Sequence, residues 1–270
     1  VAPRVVHAQV RVGALDLHVQ LVRVRPDGAP PAPALVFLHD SLGCVATWRD
    51  VPAALAEATG LDAITYDRRG HGRSSPFAPA PRTVDYFDAE VVTLRRLLDT
   101  LGVAEAVLVG HSDGGTIALM AAAIEGERVR AVVSEAAHVF IEDETLAGIR
   151  AARDGAESAG LFDRLARYHG SKVPALVSAW WDTWLDPAFR HWNMEALLPR
   201  IACPVQVVQG ALDEFGTRAQ VDAIARGVRG ASEVLWLAGC GHVPHREARD
   251  AVLPAIAAFV RAAVAPPARD

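Results

Sequence analysis

Gly110-His111-Ser112-Asp113-Gly114 sets a serine between two glycines, after the apolar pair Leu108-Val109 and before 116–121, a run that continues as a helix. A strand-to-helix corner of this kind holds the serine on a sharp, strained turn with its hydroxyl clear of the backbone. Glycines are needed on both sides because strand and helix approach too closely there for side chains. The corner also puts Ser112 at a helix N-terminus, where free N–H groups and the positive dipole end favour developing negative charge. A serine hydroxyl is a poor nucleophile near neutral pH. It needs an imidazole to take its proton, and a carboxylate to fix that imidazole's tautomer.

Both partners follow in the order serine, acid, histidine. Asp213 ends Gly210-Ala211-Leu212-Asp213 after the apolar run 205–209, and His242 ends Gly239-Cys240-Gly241-His242 after the run 234–237. Loops that follow parallel strands share one rim of a sheet, so the three side chains are expected on one edge. Glu214 competes with Asp213 as the acid. His245 competes with His242, although its expected place is in solvent or capping the last helix. The oxyanion of acyl transfer needs two preorganised N–H donors. One is expected from Asp113. The other is expected from Leu38-His39-Asp40-Ser41-Leu42-Gly43, with Ser41 the favoured donor. His39 and His111 adjoin the site, where packing and hydrogen bonding around that loop is favoured over proton transfer. The 67–74 segment reads as a supporting turn.

These residues need elements to carry them. Residues 5–10 and 15–24 read as an opening hairpin. Strands are expected at 34–38, 63–66, 106–109, 130–134, 204–209 and 233–237. Helices are expected at 48–59, at 83–101 with Thr83 as N-cap, after Ser112, at 218–228 and from Arg246. Alternating helices and strands, the strands apolar on both faces, predict a parallel sheet covered by helices on each side. From Phe140 to Pro199 the chain turns helical, charged and aromatic, with four of the six tryptophans. This predicts a helical lid, 139–199, inserted into a core of 1–138 and 200–270. Trp180, Trp181 and Trp184 are candidates for an apolar substrate pocket or for the lid's own core. Glu135 and His138, at a strand end, would line that pocket or be buried in pairs with arginines. The tail after Ala262 is expected to fray.

With 51% hydrophobic residues, a chain of 270 suits one domain with an insertion. A net charge of −5 and a pI near 6.1 argue against a nucleic-acid or anionic-membrane partner. No apolar run approaches the roughly 20 residues that span a bilayer. Three cysteines suit a reducing compartment, and no basic segment followed by an apolar core opens the chain, so a cytoplasmic protein is expected. There is no Cys-x-x-Cys, His242 and His245 are too close for a helical metal pair, and no Gly-x-Gly-x-x-Gly follows a strand. Neither a metal nor another cofactor is therefore expected. The expected partner is a small-molecule ester, and the expected state a monomer or homodimer.

Taken together, 39–43, 67–74, 110–115, 210–213 and Gly241-His242 resemble the α/β-hydrolase fold over nearly the whole chain. The resemblance implies a mostly parallel eight-stranded sheet flanked by helices, a lid between late strands, and a Ser112–His242–Asp213 triad. Haloalkane dehalogenases and epoxide hydrolases of this fold use Asp as nucleophile, so Ser112 argues against both. Residues 111–115, 135–140 with Asp143 and 148–150, and 198–204 are similar to the valacyclovir hydrolase (biphenyl hydrolase-like) type. There the acid after the nucleophile recognises a substrate ammonium. The resemblance thus implies Asp113 as a binding residue for α-amino-acid esters. The alternative is a carboxylate interacting with the dipole of its own helix. The chain departs from that type with His111 for Trp and Asp40 for Gly. The expected activity is hydrolysis of small carboxylic esters through an acyl-enzyme. The same triad supports C–C, thioester or amide cleavage, and a non-catalytic ligand sensor is the non-enzymatic alternative.

Overall fold

Period-2 alternation in the first two dozen residues builds an antiparallel hairpin, β1 (Arg4–Val12) and β2 (Leu15–Arg23), in this computed structural model, which describes residues 3–78 and 82–265. The short apolar runs that follow become β3 (Ala34–Leu38) and β4 (Ala63–Tyr66), joined by α1 (Val51–Thr59). Next come α2 (Tyr86–Thr100), β5 (Ala106–His111), α3 (Asp113–Glu125) and β6 (Val129–Glu135). The chain then runs through α4 (Asp143–Asp154), α5 (Leu161–His169) and α6 (Val173–Trp184) before returning to β7 (Val205–Gly210). It closes with α7 (Arg218–Gly227), β8 (Ser232–Leu237), α8 (Pro244–Glu247) and α9 (Arg249–Val264).

The strands form one sheet of eight in the order β1-β2-β4-β3-β5-β6-β7-β8, antiparallel at the hairpin end and parallel from β4 to β8. Every residue of β5 is buried, because helices cover both faces of the sheet at its centre. One apolar core lies under α2 and α3, and a second under α1 and α9. This is the expected mostly parallel, helix-flanked sheet. Its topology brings the ends of β3, β5, β6 and β7 side by side.

Boundaries differ from expectation in three places. Thr83 does not cap α2: the helix begins at Tyr86 after Asp85, and the Thr83 hydroxyl donates to the Asp85 carboxylate instead. The helix expected at 48–59 is split, since Arg49 takes a positive φ of 55° between a 3-10 turn (Val45–Trp48) and α1, which begins at Val51 with Pro52 in its first turn. The closing helix expected from Arg246 is two helices, α8 from Pro244 and α9 from Arg249, and α9 runs on through Val264 where fraying was expected; residues 266–270 lie outside the described residues.

The segment between β6 and β7 is helical, as expected, and leaves the sheet at the carboxyl end of β6. Lys172 and His169 are among the side chains that tie it back to the core. Lys172 Nζ donates to the carbonyls of His71, Gly72 and Ser74 at 3.1, 2.6 and 2.7 Å. His169 accepts from Gly72 N at 2.9 Å and donates to the Leu42 carbonyl at 2.9 Å. Among the described residues no helix is long and apolar enough to cross a membrane, and the three cysteines are free.

Candidate active site

Ser112 sits at φ 55°, ψ −121°, between the last residue of β5 and the first of α3. Such a conformation costs a non-glycine residue about 1–3 kcal/mol and persists only where neighbours enforce it. Ser112 N donates to the Glu135 carbonyl at 2.8 Å, and Gly115 N and Thr116 N donate to the Ser112 carbonyl at 2.8 and 3.1 Å. A Cβ on Gly110 would collide with the Gly114 carbonyl, and one on Gly114 with the Leu38 carbonyl. Only glycine lets β3, β5 and α3 meet at this corner.

β7 and β8 deliver the other two groups. His242 Nδ1 donates to Asp213, 2.9 Å from both carboxylate oxygens. Asp213 also accepts from Gln209 Nε2 at 2.7 Å and Phe215 N at 2.8 Å. Burial alone would raise Asp213, but the His242 hydrogen bond and charge, with the Phe215 and Gln209 donors, outweigh it and hold the carboxyl below its ordinary range. Burial alone would lower His242. The hydrogen bond and charge of Asp213, followed by the charges of Asp40 and Glu214, outweigh it and raise the imidazole above its ordinary value. Glu214 is exposed and does not compete for the hydrogen bond.

Ser112, His242 and Ser41 line one cavity of about 160 Å³, with Asp40, Leu42, His138, Thr145, Ile149, Trp180, Trp184 and Phe215. Its walls are mainly apolar and aromatic, and no lysine or arginine lines it. His138, Trp180 and Trp184 thus stand where the sequence pointed. His138 Nε2 donates to the Phe215 carbonyl at 2.8 Å, and burial pushes its imidazole below the ordinary range, so it is neutral. His39 and His111 pack and hydrogen-bond around the site. His39 accepts from Arg68 N at 3.0 Å and donates to the Asp40 carbonyl at 2.8 Å, while His111 donates to the His242 carbonyl at 2.6 Å.

Three expectations fail, and a fourth residue takes the second of its two expected places. Asp113 begins α3, but its carboxylate is fully buried away from the cavity, facing Arg68 Nη2 at 3.6 Å and the Tyr86 hydroxyl at 3.2 Å. It has an internal cation already and does not reach a substrate. Glu135 does not line the cavity either, because its carboxylate pairs with His245 Nδ1 at 2.7 Å behind the site. His245 is therefore buried, neither in solvent nor a cap. Trp181 turns to the insertion's own small core beside Leu165, Val173 and Val177.

The sequence reading missed Leu42, Thr145, Ile149 and Phe215 as cavity walls. Thr145 and Ile149 are four apart on α4 and so share one helix face, a spacing visible in the sequence. Phe215 follows Asp213 by two residues, but nothing local tells which way its ring turns.

Comparison with known proteins adds three findings. A family model described as alpha/beta hydrolase fold matches residues 33–241. Among curated proteins, the sn-1-specific diacylglycerol lipase ABHD11 of Mus musculus is 38% identical over 96 residues, which cover 36% of this chain and 30% of that protein. The serine hydrolase BPHL of Homo sapiens is 28% identical over 174 residues, covering 62% of this chain and 58% of that protein. The matches span about a third of the length of the ABHD11 relatives. Among solved structures, 2-hydroxy-6-oxo-6-phenylhexa-2,4-dienoate hydrolase (BphD) from Rhodococcus sp. strain RHA1 superposes with a TM-score of 0.77 at 19% identity, covering 96% of this chain and 99% of that one.

Proposed function

Because this chain belongs to the α/β-hydrolase fold family, we propose that it is a serine hydrolase cleaving small carboxylic esters through an acyl-enzyme. The observation that carries this reading is a strained Ser112 sharing one cavity with a His242 whose far ring nitrogen is held by Asp213. With Nδ1–H donated to Asp213, Nε2 of His242 is the bare nitrogen and takes the Ser112 proton. Ser112 Oγ attacks the ester carbonyl. The N–H groups of Asp113 and Ser41 stabilise the tetrahedral oxyanion, and His242 returns its proton to the leaving alcohol. Water then releases the acyl group by the same route.

In this reading the helical insertion 139–199 is a lid, since Thr145, Ile149, Trp180 and Trp184 all come from it and wall the cavity. Their apolar surface and the volume of about 160 Å³ suit a short apolar acyl group. An α-amino-acid ester would need a recognition group other than Asp113, whose charge is spent on Arg68. The test is a panel of short p-nitrophenyl esters. Wild type should turn them over and be labelled once, at Ser112, by a fluorophosphonate. Ser112→Ala should lose about 10⁴-fold or more in kcat and take no label. A wild type as inactive as the variant, and unlabelled, would refute the reading.

A further inference from the structure

The two oxyanion donors belong to peptides far apart in the chain, Asp40–Ser41 after β3 and Ser112–Asp113 after β5. Both are tethered to one buried side chain. A trans peptide is planar, with its C=O and N–H on opposite sides, so holding the carbonyl sets the direction of the N–H. The Asp40 carbonyl accepts from His39 Nδ1 at 2.8 Å, Arg68 Nη2 at 2.8 Å and Gly43 N at 3.3 Å. The Ser41 N–H therefore points away from these donors. The same Nη2 of Arg68 lies 3.6 Å from the Asp113 carboxylate, which is rooted in the first turn of α3.

Arg68 is fully buried. Its Nη1 faces Glu90 at 3.7 Å, while Nε and Nη1, like Asp113 Oδ2 and Glu90 Oε2, have no hydrogen-bond partner among the described residues. Burial raises the Glu90 carboxyl above its ordinary range, and the Asp113 carboxylate lies against the other arm of the same guanidinium. A buried charge cluster this incompletely hydrogen-bonded is worse for stability than an apolar core of the same volume.

We propose that Arg68 is a positioning residue of the oxyanion hole. Through the Asp40 carbonyl it aims the Ser41 N–H, and through the Asp113 carboxylate it seats the turn that presents the Asp113 N–H. Both donors are thus set against each other by one guanidinium. The inference rests on the ester-hydrolase reading above. It makes the segment after β4 part of the apparatus that stabilises the transition state, a task beyond supporting a turn.

The experiment compares wild type with Arg68→Met, Arg68→Lys and Asp113→Asn on one p-nitrophenyl ester and on two inhibitors of the same acyl shape. A trifluoromethyl ketone accepts Ser112 Oγ at its carbonyl carbon, the serine proton passes to His242, and the ketone oxygen becomes the oxyanion. The matching unfluorinated ketone reports ground-state binding. Arg68→Met is expected to lower kcat and trifluoromethyl-ketone affinity together, each by about 100-fold, while KM and the plain-ketone affinity move less than about threefold. Arg68→Lys keeps the charge without the fork and should fall between. If Arg68→Met does not fold, Arg68→Lys and Asp113→Asn read the same ratio.

Trifluoromethyl-ketone affinity unchanged in the folded variants overturns the inference, and so does an equal loss for both ketones. A wild type that neither turns over esters nor is labelled removes the ester reading, and this inference with it. Wild-type turnover with no selective loss in the variants removes the inference alone.

Discussion

Asp213–His242 and Glu135–His245 are two carboxylate–imidazole pairs at the ends of neighbouring strands, with histidines three residues apart in the chain. Their Nδ1–oxygen distances are 2.9 and 2.7 Å, and both carboxylates are buried. Chemically the pairs are alike, yet only one has a use for its free ring edge. His242 opens onto the cavity that holds Ser112. His245 lies against the indole of Trp48 at 4.7 Å and the ring of His111 at 5.1 Å. Glu135 takes both the ring and the backbone N–H of His245, and its own carbonyl receives Ser112 N. The second pair thus fastens the loop that carries His242 to the strand beside the elbow. A polarised histidine becomes a base only where its second nitrogen meets a substrate; elsewhere the same pair is a clamp.

Replacing each histidine separates the two roles most strongly. His242→Gln should cost about 10⁴-fold in kcat with little change in melting temperature, because the proposed base is lost while the new amide can still donate to Asp213, which keeps its Gln209 and Phe215 donors. His245→Leu should do the reverse. It leaves the Glu135 charge buried and unpaired, at a cost of about 3 kcal/mol in denaturant unfolding, while folded enzyme keeps kcat within about threefold. If both variants lose activity alike with equal stability, the distinction collapses.

The clamp also carries a pH signature. Burial works to raise Glu135, but the His245 charge and hydrogen bonds win and lower it. Its pairing therefore contributes stability above the unfolded carboxyl value, and that contribution is lost as pH falls through the lowered folded value. The stability gap between wild type and His245→Leu should accordingly narrow toward acid, as read by urea midpoints from neutral pH downward. A gap that widens toward acid would contradict the pairing.

On the cavity side, Trp180→Ala should shift relative kcat/KM between short and longer acyl esters by about tenfold, since it removes a large apolar wall. Trp181→Ala, in the insertion's own core, should leave that ratio unchanged, and equal shifts would show that the assignment of walls is wrong. The smallest effect is at Asp40. In the proposed mechanism His242 is the base when deprotonated, so kcat/KM should fall as pH drops through its raised value. Asp213, Glu214 and Asp40 raise that value, while His111 and His138 face it as neutral rings. Asp40→Asn removes one of the raising charges and should move the fall to lower pH. A profile that stays in place, or moves the other way, would show that Asp40 does not act on the imidazole.

Much of the site was legible in the sequence because its geometry is local. The strand–glycine–serine–glycine–helix pattern encodes the elbow, since only glycine fits where backbones nearly touch, and strand-end positions carry Asp213 and His242 to one rim. The helical insertion showed as a break in the strand rhythm. Thr83 and the split near Arg49 were misread because helix starts depend on caps and φ values that composition only loosely constrains. What the sequence could not show depends on partners far along the chain. The Asp113 carboxylate turns inward because Arg68 and Tyr86 wait there, and Glu135 meets a histidine 110 residues away only because β6, β7 and β8 lie side by side in the sheet.

By itself, then, the sequence determined the fold class, the strand–serine–helix corner and the order in which serine, aspartate and histidine follow at strand ends, because each is written in backbone preferences over a few neighbouring residues. The tertiary structure alone decided which of two equivalent histidines faces the serine, which acid is spent internally and which aromatic rings wall the cavity. Those outcomes follow from burial and charge pairing, and both depend on what the rest of the chain brings alongside.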